Sequence, residues 1–424
     1  MNGLAETYVS MAESRPELPP GWRWVRLAAV SRLNPRRPSD LSRGPTTSIT
    51  FVPMSAVDER RGVIERPAVR MFKDVQRGFT YFEEGDVLFA KITPCMQNGK
   101  HAIAHTLIDG VGFASTEFHV IRPTREILAE WVHYFLRQPS TLAEAEHHFT
   151  GTAGQQRVPP DFLERLEIPL PPLEEQHRIV AILNEQMAAV ERARIAAEIQ
   201  LEAAEALQTA YLRSVFEGAE AHTWRMKPLG DLLAEPLKTG ISKPPSIESD
   251  KYCLKLSAVR NGHLDVSQAK LVDVTDSEAQ GNWVRPCAFY VVRGNGNLAL
   301  VGRGALAPTH LERTVLFPDL LIQVVVKSDL VVSEFLKFAW NSAGIRQQID
   351  HLARTAAGIF KINQRNLASV MVPLPPLDQQ KQIGALLRQQ MAAIQQACTA
   401  SEARLAAIRA LPTAFLREAF NGDI

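Results

Sequence analysis

The residues of this chain best equipped to meet a polyanion lie in loops. "AKITPCMQNGKHA" supplies Lys91, Thr93, Gln97, Asn98 and Lys100, and "GFASTEF" supplies Ser115 and Thr116. Further along, "LKTGISKPP" carries Lys238, Ser242 and Lys243, "RNGH" carries Arg260 and Asn261, and "VRGNGNLALVGRG" carries Arg293, Asn295, Asn297 and Arg303. A third kind of loop occurs twice, as "GTAGQQRV" with Gln155 and Arg157 and as "TAAGIFKI" with Lys361. Arg, Lys, Asn and Gln pair with base edges, and these together with Ser and Thr hold phosphate oxygens. Glycines in the third loop permit close backbone approach to a ligand, or a tight turn before a strand. Residue type alone leaves the alternative of ordinary solvated loops open.

Covalent chemistry has no equivalent foothold. There is no GxxxxGK[ST] phosphate loop, and "GNGNLA" lacks the third glycine in phase and leads into a β-like run rather than a helix. "VPPDF" has the Pro-Pro of an amino-methyltransferase motif without the preceding Asn or Asp. His147-His148 and "EEQH" stand at no metal-ligand spacing, and Cys95, Cys253, Cys287 and Cys398 are isolated. We expect no catalytic residue, no metal site and no disulfide framework.

The elements that position these loops are written twice. "IPLPPLEEQHRIVAILNEQM" begins at Ile168 and "VPLPPLDQQKQIGALLRQQM" at Val372, an offset of 204 residues. The match needs no gap from Trp131/Phe335 to Gly218/Gly422, and 13 of the 24 positions in 166–189 equal their partners. Upstream, "LPPGWRWVRLAAV" faces "AHTWRMKPLGDLL" and "VPMSAVDERRGVIE" faces "LKLSAVRNGHLDV". Two copies are too few for a solenoid and suit a pseudo-twofold molecule.

Each repeated phrase opens a long helix. Pro171-Pro172 and Pro375-Pro376 end an extended run, and Glu174, Glu175 and Asp378 put negative charge at the helix start. Heptads follow: Leu183, Val190, Ala197, Ala204, Tyr211 beside Met187, Arg194, Leu201, Gln208, Val215. The second copy reads Leu387, Ile394, Ser401, Ile408, Phe415 beside Met391, Cys398, Leu405, Pro412, Ala419, and Gly218 and Gly422 stand where the helices stop. A helix of about 44 residues with so narrow an apolar stripe wants a partner. The spacing predicts that the two copies pair antiparallel; the alternative is that each packs only on its own domain.

Between the helices the pattern is β. "SITFVPMSAV", "DVLFAKI" and "FHVIRP" in the first block, and "YCLKLSAV", "AFYVVRG" and "LLIQVVVKS" in the second, are short apolar runs punctuated by Gly, Pro and Asn. Each block closes on a short helical segment, "EWVHYFLRQ" or "EFLKFAWNS". The fold class is therefore α+β: two similar mixed-β domains separated by two long helices that pair as an antiparallel coiled coil.

At 424 residues, with 46% hydrophobic and 22% charged residues and a net charge of +1, the composition is that of a globular protein. Charge is uneven: residues 166–217 carry 4 Lys+Arg against 9 Asp+Glu, whereas 218–370 carry 18 against 14. Nucleic-acid contacts are therefore expected from the β blocks and not from the acidic first helix. The N-terminus lacks a basic start followed by an apolar stretch, and no apolar run approaches a membrane span, so a cytoplasmic protein is expected.

The doubled "PLPPLxxQ" before a long helix, preceded by "TAGQQRVP" and "AAGIFKIN", resembles the specificity subunit of type I restriction–modification systems. "GDVLFAKITP", "ASTEFHVIRP" and "LVGRGAL" look like pieces of that family's target-recognition domains, although the second block has no clear "GDVLF" counterpart. The resemblance implies a flexible N-terminus at 1–19, recognition domains at 20–166 and 219–370, and conserved helical regions at 167–218 and 371–424. It implies that each domain reads one half of a bipartite site in double-stranded DNA. The helices would set the gap and dock two methyltransferase subunits carrying S-adenosylmethionine. Restriction subunits using ATP and Mg would join where present, and this chain itself would be non-catalytic, with no cofactor of its own. The alternatives are a stand-alone coiled-coil DNA-binding scaffold or transcription factor, and a free-standing DNA-modifying enzyme.

Overall fold

A computed structural model describes residues 17–424 other than 40, 42, 153, 248, 261 and 357, so most of the 1–19 segment and Asn261 lie outside the described residues. The chain forms two compact units, residues 1–196 with 404–424, and residues 197–403. The long helices run over Leu173–Phe216 and Leu377–Asn421. The second continues through Pro412, which removes one backbone donor from the helix interior without ending it. Gly422 follows at φ +80°, the left-handed stop that glycine provides.

In the first unit two four-stranded sheets stack. One is ordered Ala68–Met71, Ser48–Val52, Val111–Ala114, Thr80–Glu83; the other is ordered Ser31–Leu33, Phe118–Pro123, Val87–Ala90, His101–Ile103. Strand alternation divides the core. Leu88 and Ala90 face Val52, Phe82 and Ala114, whereas Val87 and Phe89 join Trp131, Phe135, Ile179 and Leu183 from the helical side. Strand Arg23–Arg26 pairs antiparallel with Glu167–Leu170 just ahead of the first long helix. Leu416, Ala419 and Phe420 of the second long helix enter the same core, and Arg178 donates to the Ile424 carbonyl at 2.7 Å. Within this unit the two helices therefore run antiparallel.

The second unit is built on a six-stranded sheet ordered Lys238–Thr239, Leu321–Val324, Phe289–Val292, Gly304–Leu306, His263–Leu264, Val259–Arg260. Phe289 and Val291 face Leu336, Trp340 and Ile349 on its helical side, and Tyr290 and Val292 face Leu254 and Phe317 on the other. Strand Phe289–Val292, flanked by Leu321–Val324 and Gly304–Leu306, holds the place that Val87–Ala90 holds in the first unit. It is the counterpart of "GDVLF" that the sequence hides. Phe216, near the end of the first long helix, packs with Trp224, Phe335 and Ile383, so the helices are antiparallel in this unit as well.

The heptad positions behave as a seam. Leu183, Ala197, Ala204, Leu387, Ile394, Leu405, Ile408 and Ala419 are buried, the remaining positions are half-buried, and only Tyr211 is exposed. No helix among the described residues is long and apolar enough to cross a membrane.

Candidate nucleic-acid interface

In the first unit three predicted loops meet at one end of the sheets. Thr93 N–H donates to the Gln156 carbonyl at 3.0 Å, and Lys91 N–H donates to that of Glu117 at 2.9 Å. Arg157 grips Glu117 with both prongs, Nε to Oε2 at 2.9 Å and Nη2 to Oε1 at 2.8 Å, and donates to the Gln155 carbonyl at 2.9 Å. Lys91, Thr93, Ser115, Thr116, Gln155 and Arg157 thus share one patch, with Glu117 at its centre. The Arg157 hydrogen bond holds the Glu117 carboxyl below the usual carboxylate range. Partial burial, with Arg157 nearby, lowers the Lys91 ammonium, and Glu117 opposes that shift.

Two other predicted residues of this unit, Lys100 and Gln97, are turned into the fold. Lys100 Nζ donates to the Val57 carbonyl at 2.9 Å and lies 3.9 Å from Glu59. Gln97 accepts from the Thr93 hydroxyl and donates to Glu146 at 2.8 Å. Asn98 is exposed on the same loop.

In the second unit the predicted residues fall into three groups. Arg293, Asn295 and Lys361 come together because strand Gly294–Asn295 pairs with Ile359–Lys361, which forms a hairpin with Arg354–Ala356. Gly358 at φ +76° makes the turn, and Asn297 and Arg303 follow on the adjoining loop. There Asn297 caps Ala299 N–H at 3.0 Å, and Arg303 donates to the Ala299 carbonyl at 3.0 Å. A second group holds Lys238 on the Gly281 carbonyl at 2.6 Å and Lys243 on Glu278 at 2.7 Å, with Ser242 exposed between them. Arg260 stands apart, paired in register with His263 and donating to the Ser257 carbonyl at 2.9 Å.

Each unit also has a cleft between its sheet and its own stretches of long helix. The first, about 1160 Å³, is lined by His133, Arg137 and Met187 among others; the second, about 870 Å³, by Lys337, Asn341 and Met391. These residues are matched in pairs at the 204-residue offset. No group of three or more His, Cys, Asp or Glu among the described residues could hold a metal ion.

Sequence reasoning missed Arg70. It lies on strand Ala68–Met71, with its guanidinium 3.8 Å from the Phe51 ring centroid. A lone arginine in "ERPAVRMF" gives no local sign of such a contact, which is made across strands.

Comparison with known proteins agrees with this architecture. Residues 70–201 match the type I restriction modification DNA specificity domain. The EcoAI specificity subunit of Escherichia coli is 38% identical over 180 residues, 42% of this chain and 30% of that protein; the chain thus aligns with under a third of that relative. A solved chain, described under complex assembly and conformational transition of the type I R-M system, is 26% identical. It superposes with a TM-score of 0.76 over 96% of this chain and 100% of its own length. The HsdS subunit from Thermoanaerobacter tengcongensis, at 24% identity, shares the fold with a TM-score of 0.61 over 98% of this chain and 100% of its own. Residues 70–201 of this chain are thus similar to a type I restriction modification DNA specificity domain, and the whole chain shares its fold with the two solved chains.

Proposed function

We propose that this chain is the DNA sequence-specificity subunit of a type I restriction–modification complex, selecting the site and performing no catalysis. Residues 20–166 and 219–370 each read one half of a bipartite double-stranded target. Residues 167–218 and 371–424 fix the gap and dock two methyltransferase subunits. The cofactors belong to the partners: S-adenosylmethionine on the methyltransferase, ATP and Mg on a restriction subunit where one is present. The complex works in the cytoplasm. In the first domain the reading surface comprises Lys91, Thr93, Asn98, Ser115, Thr116, Gln155 and Arg157, with Gln97 and Lys100 bracing it from within the fold. In the second it comprises Lys238, Ser242, Lys243, Arg260, Asn261, Arg293, Asn295, Asn297, Arg303 and Lys361.

The observation that carries this reading is the repetition of one assembly in both units. Each has a sheet presenting polar and basic loops, tied by a strand pair to the start of one long helix and closed by the end of the other. One such unit supplies one reading head, and two supply a split site. The test is to co-express the chain with the methyltransferase encoded beside it and map N6-methyladenine across the host genome. A new split motif around an unspecified gap is the expected result. Copurification without new methylation would overturn the specificity role, and absence of copurification would favour a stand-alone DNA-binding scaffold.

A further inference from the structure

The Arg70 guanidinium lies over Phe51 at 3.8 Å from the ring centroid and reaches Phe79 at 5.8 Å. Phe51 and Phe79 brace one another edge to face, centroids 4.9 Å apart and planes at 82°. Arg70 stands opposite Ile49, and Ala68 opposite Phe51, so the arginine shares a sheet face with that aromatic support. Its side chain is exposed, and among the described residues it makes no hydrogen bond or ion pair. Stacking of this kind contributes about 0.5–1 kcal/mol at an exposed site and leaves the in-plane N–H donors free.

Arg313 in the second unit shows what a structural version of the contact looks like. It too stacks on an aromatic ring, Tyr252 at 4.6 Å. Its donors, however, are committed to the Val266 carbonyl at 3.1 and 2.9 Å and to the Ser267 carbonyl at 2.7 Å. Arg70 has the same support and no such acceptor. Its sheet continues through Ser48–Val52 to Val111–Ala114, which leads directly into Ser115 and Thr116.

We infer that Arg70 is a specificity-determining residue of the first head, its ring-supported guanidinium donating in bidentate fashion to the O6 and N7 edge of one guanine in the half-site. The inference rests on the reading of the chain as a DNA-specificity subunit and adds a base and a position to it. A planar fork held flat is the geometry a guanine edge requires, whereas a phosphate contact is satisfied by any mobile cation.

The test is selection of bound duplexes from a random pool by the full chain, co-purified with its methyltransferase, as wild type, Arg70→Ala and Arg70→Lys. The wild type is expected to select a split motif. Both variants are expected to lose preference for guanine at one position in one half, by about ten-fold or more, with the other half unchanged. Lysine keeps the charge without the fork, so its failure to restore the preference separates base reading from charge. Arg70→Lys also keeps the inference testable should Arg70→Ala unfold, which thermal melting would reveal. An unchanged motif in both variants would overturn the inference while leaving the specificity reading intact. A uniform loss across all sequences, with the salt slope reduced by about one, would overturn it in favour of a phosphate contact. A wild type that selects no sequence would overturn both.

Discussion

Gln176 and Gln380, 204 residues apart, make the same three hydrogen bonds in their own units. Gln176 Nε2 donates to the carbonyls of Pro171 and Glu126, each at 3.0 Å, and its Oε1 accepts from Leu128 N–H at 2.9 Å. Gln380 Nε2 donates to Pro375 at 2.8 Å and Leu330 at 3.0 Å, and its Oε1 accepts from Val332 N–H at 2.9 Å. Both side chains are buried, at 0% and 1% exposure, so the invariant Gln of the repeated phrase is a lock between each long helix and its sheet. Truncation leaves buried backbone groups unpaired, at about 1–3 kcal/mol. We expect Gln176→Ala and Gln380→Ala each to destabilise by roughly 2–3 kcal/mol in urea titrations, and their effects to add because the sites share no partner. A loss below ~0.5 kcal/mol for either would mean water replaces the lock.

Three buried histidines make the first unit sensitive to mild acid. Burial, reinforced by Arg137, pushes His101 down to about 3 and His133 well below the usual imidazole value. Burial lowers His119 too. A depressed folded-state value means that the unfolded chain takes up protons first. Stability is therefore complete above about pH 6.5 and declines as pH falls below it, by up to ~1.4 kcal/mol per pH unit for each histidine. Carboxylates titrate around pH 4 to 4.5 and are almost fully ionised above about pH 5.5, so a fall in the urea midpoint between pH 7.0 and 5.5 reports the histidines. A flat profile across that window would show that they accept protons in the folded chain.

The Glu117–Arg157 pair sets the charge of the patch it occupies. Each Arg157–Glu117 prong is under 3 Å, and Lys91 adds attraction to the same carboxylate. Removing the negative charge with Glu117→Gln frees two cations, Lys91 and Arg157, on the proposed reading surface. We expect DNA affinity at low salt to rise for all sequences and the salt slope to steepen by about one to two. Fluorescence anisotropy with duplexes across a salt series measures both. Unchanged slopes would place the patch away from the phosphates.

Much of this was legible in the sequence, for a physical reason. A long helix writes its burial along the chain: Leu183, Val190 and Ala197, like Leu387 and Ile394, recur at heptad spacing and fall on the seam. The duplicated Gln gave the lock's position though not its partners. The loops were recognisable from Gly, Asn and basic residues, but their directions were not. Lys100 is aimed at the Val57 carbonyl and Arg70 at Phe51 by contacts made across strands, which no local pattern encodes. The second head differs for another reason, a change of chemistry at an unchanged position.

In the first unit Asp86, 1% exposed, accepts from Arg122 at 2.8 Å through both oxygens, and Arg122 also meets Glu83 at 2.8 Å. The strand registers place Ala288 and Val325 of the second unit at these two positions. An ion pair in one head is thus an apolar pair in the other, which is why "GDVLF" becomes "CAFYV". Buried ion pairs are costly to break singly, at about 3–5 kcal/mol, yet are often replaced as a pair at little cost because both charges escape desolvation. Asp86→Ala leaves a cation with one partner fewer and should destabilise by ~3 kcal/mol. Arg122→Val leaves a buried carboxylate and should cost as much or more. The double variant, which writes the second head's solution into the first, should recover most of that loss, giving a coupling energy of roughly 2–3 kcal/mol in a double-mutant cycle. Additive losses would show that surrounding residues, and not the pair itself, fix the chemistry of this position.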